Sequence, residues 1–248
     1  MFWLRYMSKL LGGGTMNVMI LGAGGGIGRA LLEAYAEAPQ TTQIYATHHR
    51  AVTDVSPSVR WLQLDLRNPA SVEALPNLVE DPIDRWICCT GVLVHSDHGP
   101  EKSLRQLRAD KLQRDYMINA VGPLTAFSAM ASKLRTPNLR AVFLSAQVGS
   151  IEDNRLGGWH GYRMSKAALN MGVRCLAIEC GRWRSNPAIV AVHPGTTVSS
   201  LSRAFIQKRR VPAQSAAVCA SNLKHLIESL EPEHNGEFLR LNGERLPW

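Results

Sequence analysis

The sequence predicts an α/β protein built on a single doubly wound parallel sheet with helices on both faces. Three observations lead there. Short apolar runs alternate with helical patterns from end to end. A glycine-rich turn joins the first run to the first helical pattern. No linker, internal repeat or low-complexity tract divides the chain, and 248 residues with 45% hydrophobic content suit one domain with a sizeable core.

Residues 1–11, MFWLRYMSKLL, are apolar and mildly basic, but too short and interrupted for a signal peptide. Gly12-Gly13-Gly14 and a second start at Met16 follow. Residues 1–15 are therefore read as a flexible N-terminal extension and 16–248 as the folded domain. Asn17–Leu21 is a buried strand ending in glycines. Ile27 to Ala38 is a helix, with Ile27, Leu31, Ala34 and Tyr35 on one side and Pro39 as its stop. Further strands are expected at Gln43–Thr47, Val59–Leu64, Trp86–Thr90, Ala141–Ser145, Ile189–His193 and Phe238–Leu241. The stretch around Gly161–Leu169 contains no proline and reads as helix. Thr196 to Val211 is expected to form a mobile lid.

The formal net charge is +8, with basic residues at Arg182, Arg184 and Lys208-Arg209-Arg210. No aromatic interleaving accompanies them, so a solvated basic face is expected and no nucleic-acid partner. No stretch reaches the roughly 18 apolar residues of a membrane span. Five cysteines without a Cys-x-x-Cys spacing argue against a disulfide framework or zinc site and for a cytoplasmic protein.

The turn Gly22-Ala23-Gly24-Gly25-Gly26-Ile27-Gly28 lies where a dinucleotide pyrophosphate docks on a helix N-terminus. Two spacings fit: Gly-x-x-x-Gly-x-Gly through Gly22, Gly26 and Gly28, and Gly-x-x-Gly-x-x-Gly through Gly22, Gly25 and Gly28. The second strand ends at His48-His49-Arg50, with no carboxylate to accept from a ribose 2′-hydroxyl or to repel a 2′-phosphate. That favours NADP. A metal pair is not expected of His48 and His49, because adjacent strand residues face opposite ways. Tyr162 and Lys166 stand four apart, one turn along a helix face. An ammonium beside a phenol pulls its pKa down, which suits a general acid/base.

Together these residues resemble the classical short-chain dehydrogenase/reductase family over Met16 to Trp248. The resemblance rests on the glycine turn, Asp65-Leu66, Asn119-Ala120-Val121-Gly122-Pro123, Tyr162 with Lys166, and His193-Pro194-Gly195. Gly149-Ser150-Ile151, Gly157-Gly158-Trp159 and the Asn242–Trp248 ending are similar to the C-factor and Sniffer-like carbonyl reductase group. The resemblance implies a Rossmann fold that reduces a carbonyl with NADPH. Tyr162 would protonate the carbonyl oxygen; Lys166 would hold the nicotinamide ribose and lower the Tyr162 pKa. Asn119 would support a water linking Lys166 to solvent. Asp65 and Leu66 would border the adenine. Thr90 and Gly91 would flank the cofactor, as would Pro194 and Gly195, and Thr196 or Thr197 after them would approach the nicotinamide carboxamide. The resemblance also implies a homodimer or homotetramer.

Three departures stand out. Leu21 replaces the usual threonine, and Cys89-Thr90-Gly91 replaces Asn-Ala-Gly. The family's catalytic serine would fall at Ala146. Ser145 is the expected substitute if a bulge re-aims it, with Ser150 second and no serine third. An NADP-binding signalling or regulatory protein with little turnover is the alternative reading. A nucleotide-sugar epimerase is the third, and the chain is short for it.

Overall fold

The computed structural model describes residues 15–49, 58–95, 99–199, 201–203, 206 and 212–248. Arg50 and much of the expected lid, including Lys208-Arg209-Arg210, lie outside these residues, as does the expected extension apart from Thr15. Seven strands form one sheet: β1 Met16–Leu21, β2 Thr41–His48, β3 Val59–Gln63, β4 Arg85–Cys88, β5 Arg140–Leu144, β6 Ala188–His193 and β7 Phe238–Arg240. Their order is β3-β2-β1-β4-β5-β6-β7. Every pairing is parallel. The chain therefore winds outward from β1 in one direction and from β4 in the other, which opens a crevice at the carboxyl ends of these two strands.

The principal helices are α1 Gly26–Ala36, α2 Pro69–Ala74, α3 Ala109–Tyr116, α4 Gly122–Ala129, α5 His160–Cys180 and α6 Ala216–Ser229. α1 ends two residues before the expected Ala38, because a residue preceding proline disfavours helical backbone. Strand alternation divides the core into two layers. Val18 and Ile20 face one side with Leu31, Tyr35, Leu223 and Ile227. Met19 and Leu21 face the other with Trp86, Phe127 and Phe143. Trp86 meets Phe127 edge to face at 5.4 Å. Between α3 and α4 the chain widens into one π-helical turn, Met117–Val121, which carries Asn119 inward; such turns recur at functional sites.

Candidate active site

A cleft of about 930 Å³ runs along the carboxyl ends of the strands. It is lined by the glycine turn, His48, His49, Asp65, Leu66, Thr90, Gly91, Ser145, Tyr162, Lys166 and Pro194 to Thr197. Asn119 lies just behind, fully buried.

The glycine turn resolves the two spacings. Gly22 and Gly26 adopt positive φ, +78° and +54°. A methyl on Gly28 would overlap the Gly22 carbonyl oxygen. Gly25 has extended backbone with φ −174°, and a methyl there would meet nothing within 4 Å. The geometry thus requires Gly22, Gly26 and Gly28 and leaves Gly25 free. No side chain caps the start of α1, so its first N–H groups stay open to an anion. This cradle, which a Cβ would fill, fits a dinucleotide pyrophosphate. Leu21 points into the core, and the turn takes its hydrogen bond elsewhere. Gly22 N donates to Thr47 Oγ1 at 3.0 Å, and Ala23 N to the Thr47 carbonyl at 2.9 Å. Thr47 was not singled out from the sequence; its place at the end of a strand beside the turn was the available signal.

At the end of β2, His48 packs edge-on against Trp61. His49 Nε2 lies 3.1 Å from Arg67 Nη2. Arg67 in turn grips Asp65 with two nitrogens, at 2.9 and 2.8 Å. That guanidinium holds the Asp65 carboxyl well below the usual carboxylate range. Arg67 also lines the cleft and is a second residue the sequence reading passed over. At the far wall, Thr197 bridges to Gln214, whose Nε2 donates to the Pro194 carbonyl at 2.6 Å. Gly195 there has φ +70°.

Asn119 joins three pieces. Its Oδ1 accepts from Val92 N at 2.7 Å, and its Nδ2 donates to the Val92 carbonyl and to Ser165 Oγ at 2.9 and 3.0 Å. It thereby ties the loop after β4 to α5. Lys166 is buried, and its Nζ donates to the Leu144 carbonyl at 2.8 Å; burial pushes its pKa down to about 8. Tyr162 is pushed the opposite way to expectation. Burial, and then the Asp115 charge, raise its hydroxyl above the usual range. The Lys166 ammonium, 6.0 Å from the ring centroid, does not offset them.

Ser145 also needs correction. Its hydroxyl donates to Asn170 Oδ1 at 2.5 Å, in the buried interior. A hydroxyl has one proton, so this bond withholds it from a carbonyl beside Tyr162. Strict alternation holds at this strand end: Ala146, next along, packs with Leu93 against Tyr162. Ser150 is no substitute, because its hydroxyl donates to the Trp248 carbonyl at 3.0 Å. Among the described residues no group of metal-binding side chains is assembled, and no helix is long and apolar enough to cross a membrane.

A nucleotide cradle at the switch point and a tyrosine–lysine pair facing the same cleft define a protein of the dinucleotide-dependent oxidoreductase class. The profile of the family described as short chain dehydrogenase matches residues 16–210, and the chain belongs to that family. It is 35% identical over 173 residues to C-signal of Myxococcus xanthus, covering 69% of this chain and 96% of that protein. It is 29% identical over 190 residues to the 1-hydroxy-2-glutathionyl-2-methyl-3-butene dehydrogenase of a Rhodococcus strain, covering 75% and 78%. Among solved structures, carbonyl reductase Sniffer of D. melanogaster superposes with a TM-score of 0.82 at 21% identity, over 94% of this chain and all of that one. The NADPH-bound carbonyl reductase from chicken fatty liver gives 0.79 at 20% identity, over 95% of each.

Proposed function

We propose that the protein is an NADPH-dependent carbonyl reductase. The observation that carries the reading is the convergence of Tyr162 and Lys166 on the cleft that the Gly22–Gly28 turn opens. Gly22, Gly26, Gly28 and the open N-terminus of α1 would hold the pyrophosphate. His48, His49 and Arg67, which line the cleft, would flank a 2′-phosphate, with Arg50 next in sequence. The solved carbonyl reductase with NADPH bound supports the same cofactor.

When bound, the nicotinamide supplies the hydride. The chain's own residues manage the proton and the geometry. Tyr162 keeps its proton at working pH, which makes it a donor to the carbonyl oxygen. Lys166 would hold the nicotinamide ribose from the floor of the cleft. Asn119 keeps the loop after β4 and α5 in register. With alanine at 146 and the Ser145 proton held by Asn170, Tyr162 polarises the carbonyl without a serine. The substrate end is lined by Leu93, Val148, Leu156, Trp159 and Leu201, an apolar wall for a small carbonyl compound.

Two further expectations belong to this reading. The five cysteines are all free, in keeping with a reducing cytoplasm. Met164, Met171 and Ile178 form an exposed apolar stripe on α5, at seven-residue spacing, that suits a second copy of this chain in a homodimer or homotetramer.

The test is a panel of aldehydes, ketones and quinones followed by NADPH absorbance, with Tyr162→Phe alongside. Turnover should fall roughly 10²-fold or more in the variant, the scale of general acid catalysis, with NADPH affinity little changed. Tighter NADH than NADPH binding would remove the cofactor assignment. Ala146 and the likeness to C-signal favour one second reading, an NADP-binding signalling protein with little turnover. Tight NADPH binding with no reduction across the panel is its signature.

A further inference from the structure

Outside the cleft, four ionisable side chains meet in the interior behind Tyr162. Lys111 Nζ, on α3, lies 2.8 Å from Asp115 Oδ2 and 2.9 Å from Glu101 Oε1. His95 Nε2, on the loop after β4, lies 2.6 Å from Asp115 Oδ1. Glu101, Lys111 and Asp115 expose 2%, 2% and 0% of their surface. Groups of this kind are rarely so buried unless they are mutually paired.

The cluster closes on the first turn of α5. That helix begins at Trp159 in left-handed backbone, with φ 51°, and no local side chain caps it. Glu101 caps it from sixty residues away. Its Oε2 accepts from Gly161 N at 3.2 Å, and its carbonyl accepts from Trp159 N at 2.6 Å. Asp115 packs directly on Gly161, where any Cβ would overlap its Oδ2. The next residue is Tyr162.

We propose that Glu101, Lys111, Asp115 and His95 form one buried positioning device that fixes the first turn of α5 and, through it, Tyr162. Lys111 is the clamp: it holds the two carboxylates together while Glu101 caps the helix and Asp115 sets its distance from α3. Without Lys111 the two anions repel and the cap is released. The device bears more weight here because no serine shares the carbonyl with Tyr162. It also tunes the acid, since Asp115 adds to the burial that raises the Tyr162 hydroxyl. Among the described residues, the charged or titratable groups around Tyr162 are Asp115 from α3, Lys166 from α5 and His95 from the loop after β4; Cys88 and Cys89 of the β4 end lie beyond Lys166.

The proposal rests on Tyr162 as the acid, so its test has one readout that needs no turnover. Amide hydrogen exchange at 159–163 is compared in wild type, Glu101→Ala and Lys111→Met. Exchange in that turn should quicken at least tenfold in both variants, while residues 165–177 keep their protection. Unchanged exchange would overturn the positioning role even if the panel of carbonyls shows no reduction at all. With a reducible probe such as 4-nitrobenzaldehyde, Lys111→Met should lower kcat at least tenfold and leave the Kd for NADPH within threefold.

Asp115→Asn keeps the shape and removes the charge that favours protonated Tyr162. The alkaline limb of kcat against pH should therefore move to lower pH. A packing role alone leaves that limb in place. A superimposable profile, with turnover equal to wild type in Lys111→Met, would exclude the cluster from catalysis.

Discussion

The glycine turn and the Tyr162 end of the cleft are built from different parts of the polypeptide. The turn works through backbone: positive φ at Gly22 and Gly26, a missing Cβ at Gly28, and open N–H groups at the start of α1. The Tyr162 end depends on the direction of side chains: the Tyr162 hydroxyl, the Lys166 ammonium, the Ala146 methyl and the Ser145 hydroxyl turned to Asn170. Backbone requirements leave few sequence solutions. Side-chain direction depends on which face of a strand a residue occupies, and a one-residue shift reverses it.

The sharpest break of that comparison is a pair of alanines in the turn. Gly28→Ala should abolish measurable NADPH binding, because its methyl meets backbone that cannot withdraw. Gly25→Ala should bind within about threefold of wild type, since its Cβ enters open space. Fluorescence titration reads both; equal losses would mean the alternative glycine spacing holds.

Next in size is Ala146→Ser. A donor restored beside Tyr162 should raise turnover, toward the roughly 10²-fold scale of one preorganised oxyanion donor. A fall in rate would show that the carbonyl does not lie against residue 146.

His193 tests the wall of the cleft that leads into Pro194 to Thr197. Burial, and then the Arg240 charge, push its pKa down to about 4. An unfolded histidine takes up its proton near 6.5, as reference values have it. The unfolded state thus binds more protons between those limits, and stability is lost as pH falls from about 6.5 to about 4. His193→Asn should flatten that part of the stability–pH curve in urea melts. An unchanged slope would assign the acid sensitivity elsewhere.

The smallest effect is expected of Ser145→Ala. Its hydroxyl serves Asn170, so stability should drop by about 1 kcal/mol, the worth of one buried hydrogen bond, with turnover within threefold. A large rate loss at unchanged stability would return the catalytic role to Ser145.

Much of this was legible in the sequence because local rules and tertiary structure agree. All seven apolar runs are strands, and the glycine turn and the Tyr162–Lys166 pair fall where the alternation of elements puts them. Illegible features were those that only packing decides. Lys111 and Asp115 in ADKLQRDY look like an exposed pair on a polar helix, yet both are buried. Leu21 stands where the family has threonine, and the hydroxyl that holds the turn comes from Thr47 across the sheet. Lys166 follows Tyr162 by one helical turn, a spacing that suggests a lowered pKa, but burial and then the Asp115 charge raise it.

The Thr47 bond carries a consequence for redesign. In a chain whose turn is held from within its own strand, the tip of β2 can be exchanged without disturbing the turn. Here the tip and the turn share a fastener, because Thr47 sits directly before His48 and His49 and clasps both Gly22 and Ala23. A graft that replaces the tip from position 47 onward unfastens the glycine turn along with whatever the tip itself contributes. Grafts beginning at position 48 leave the fastener whole.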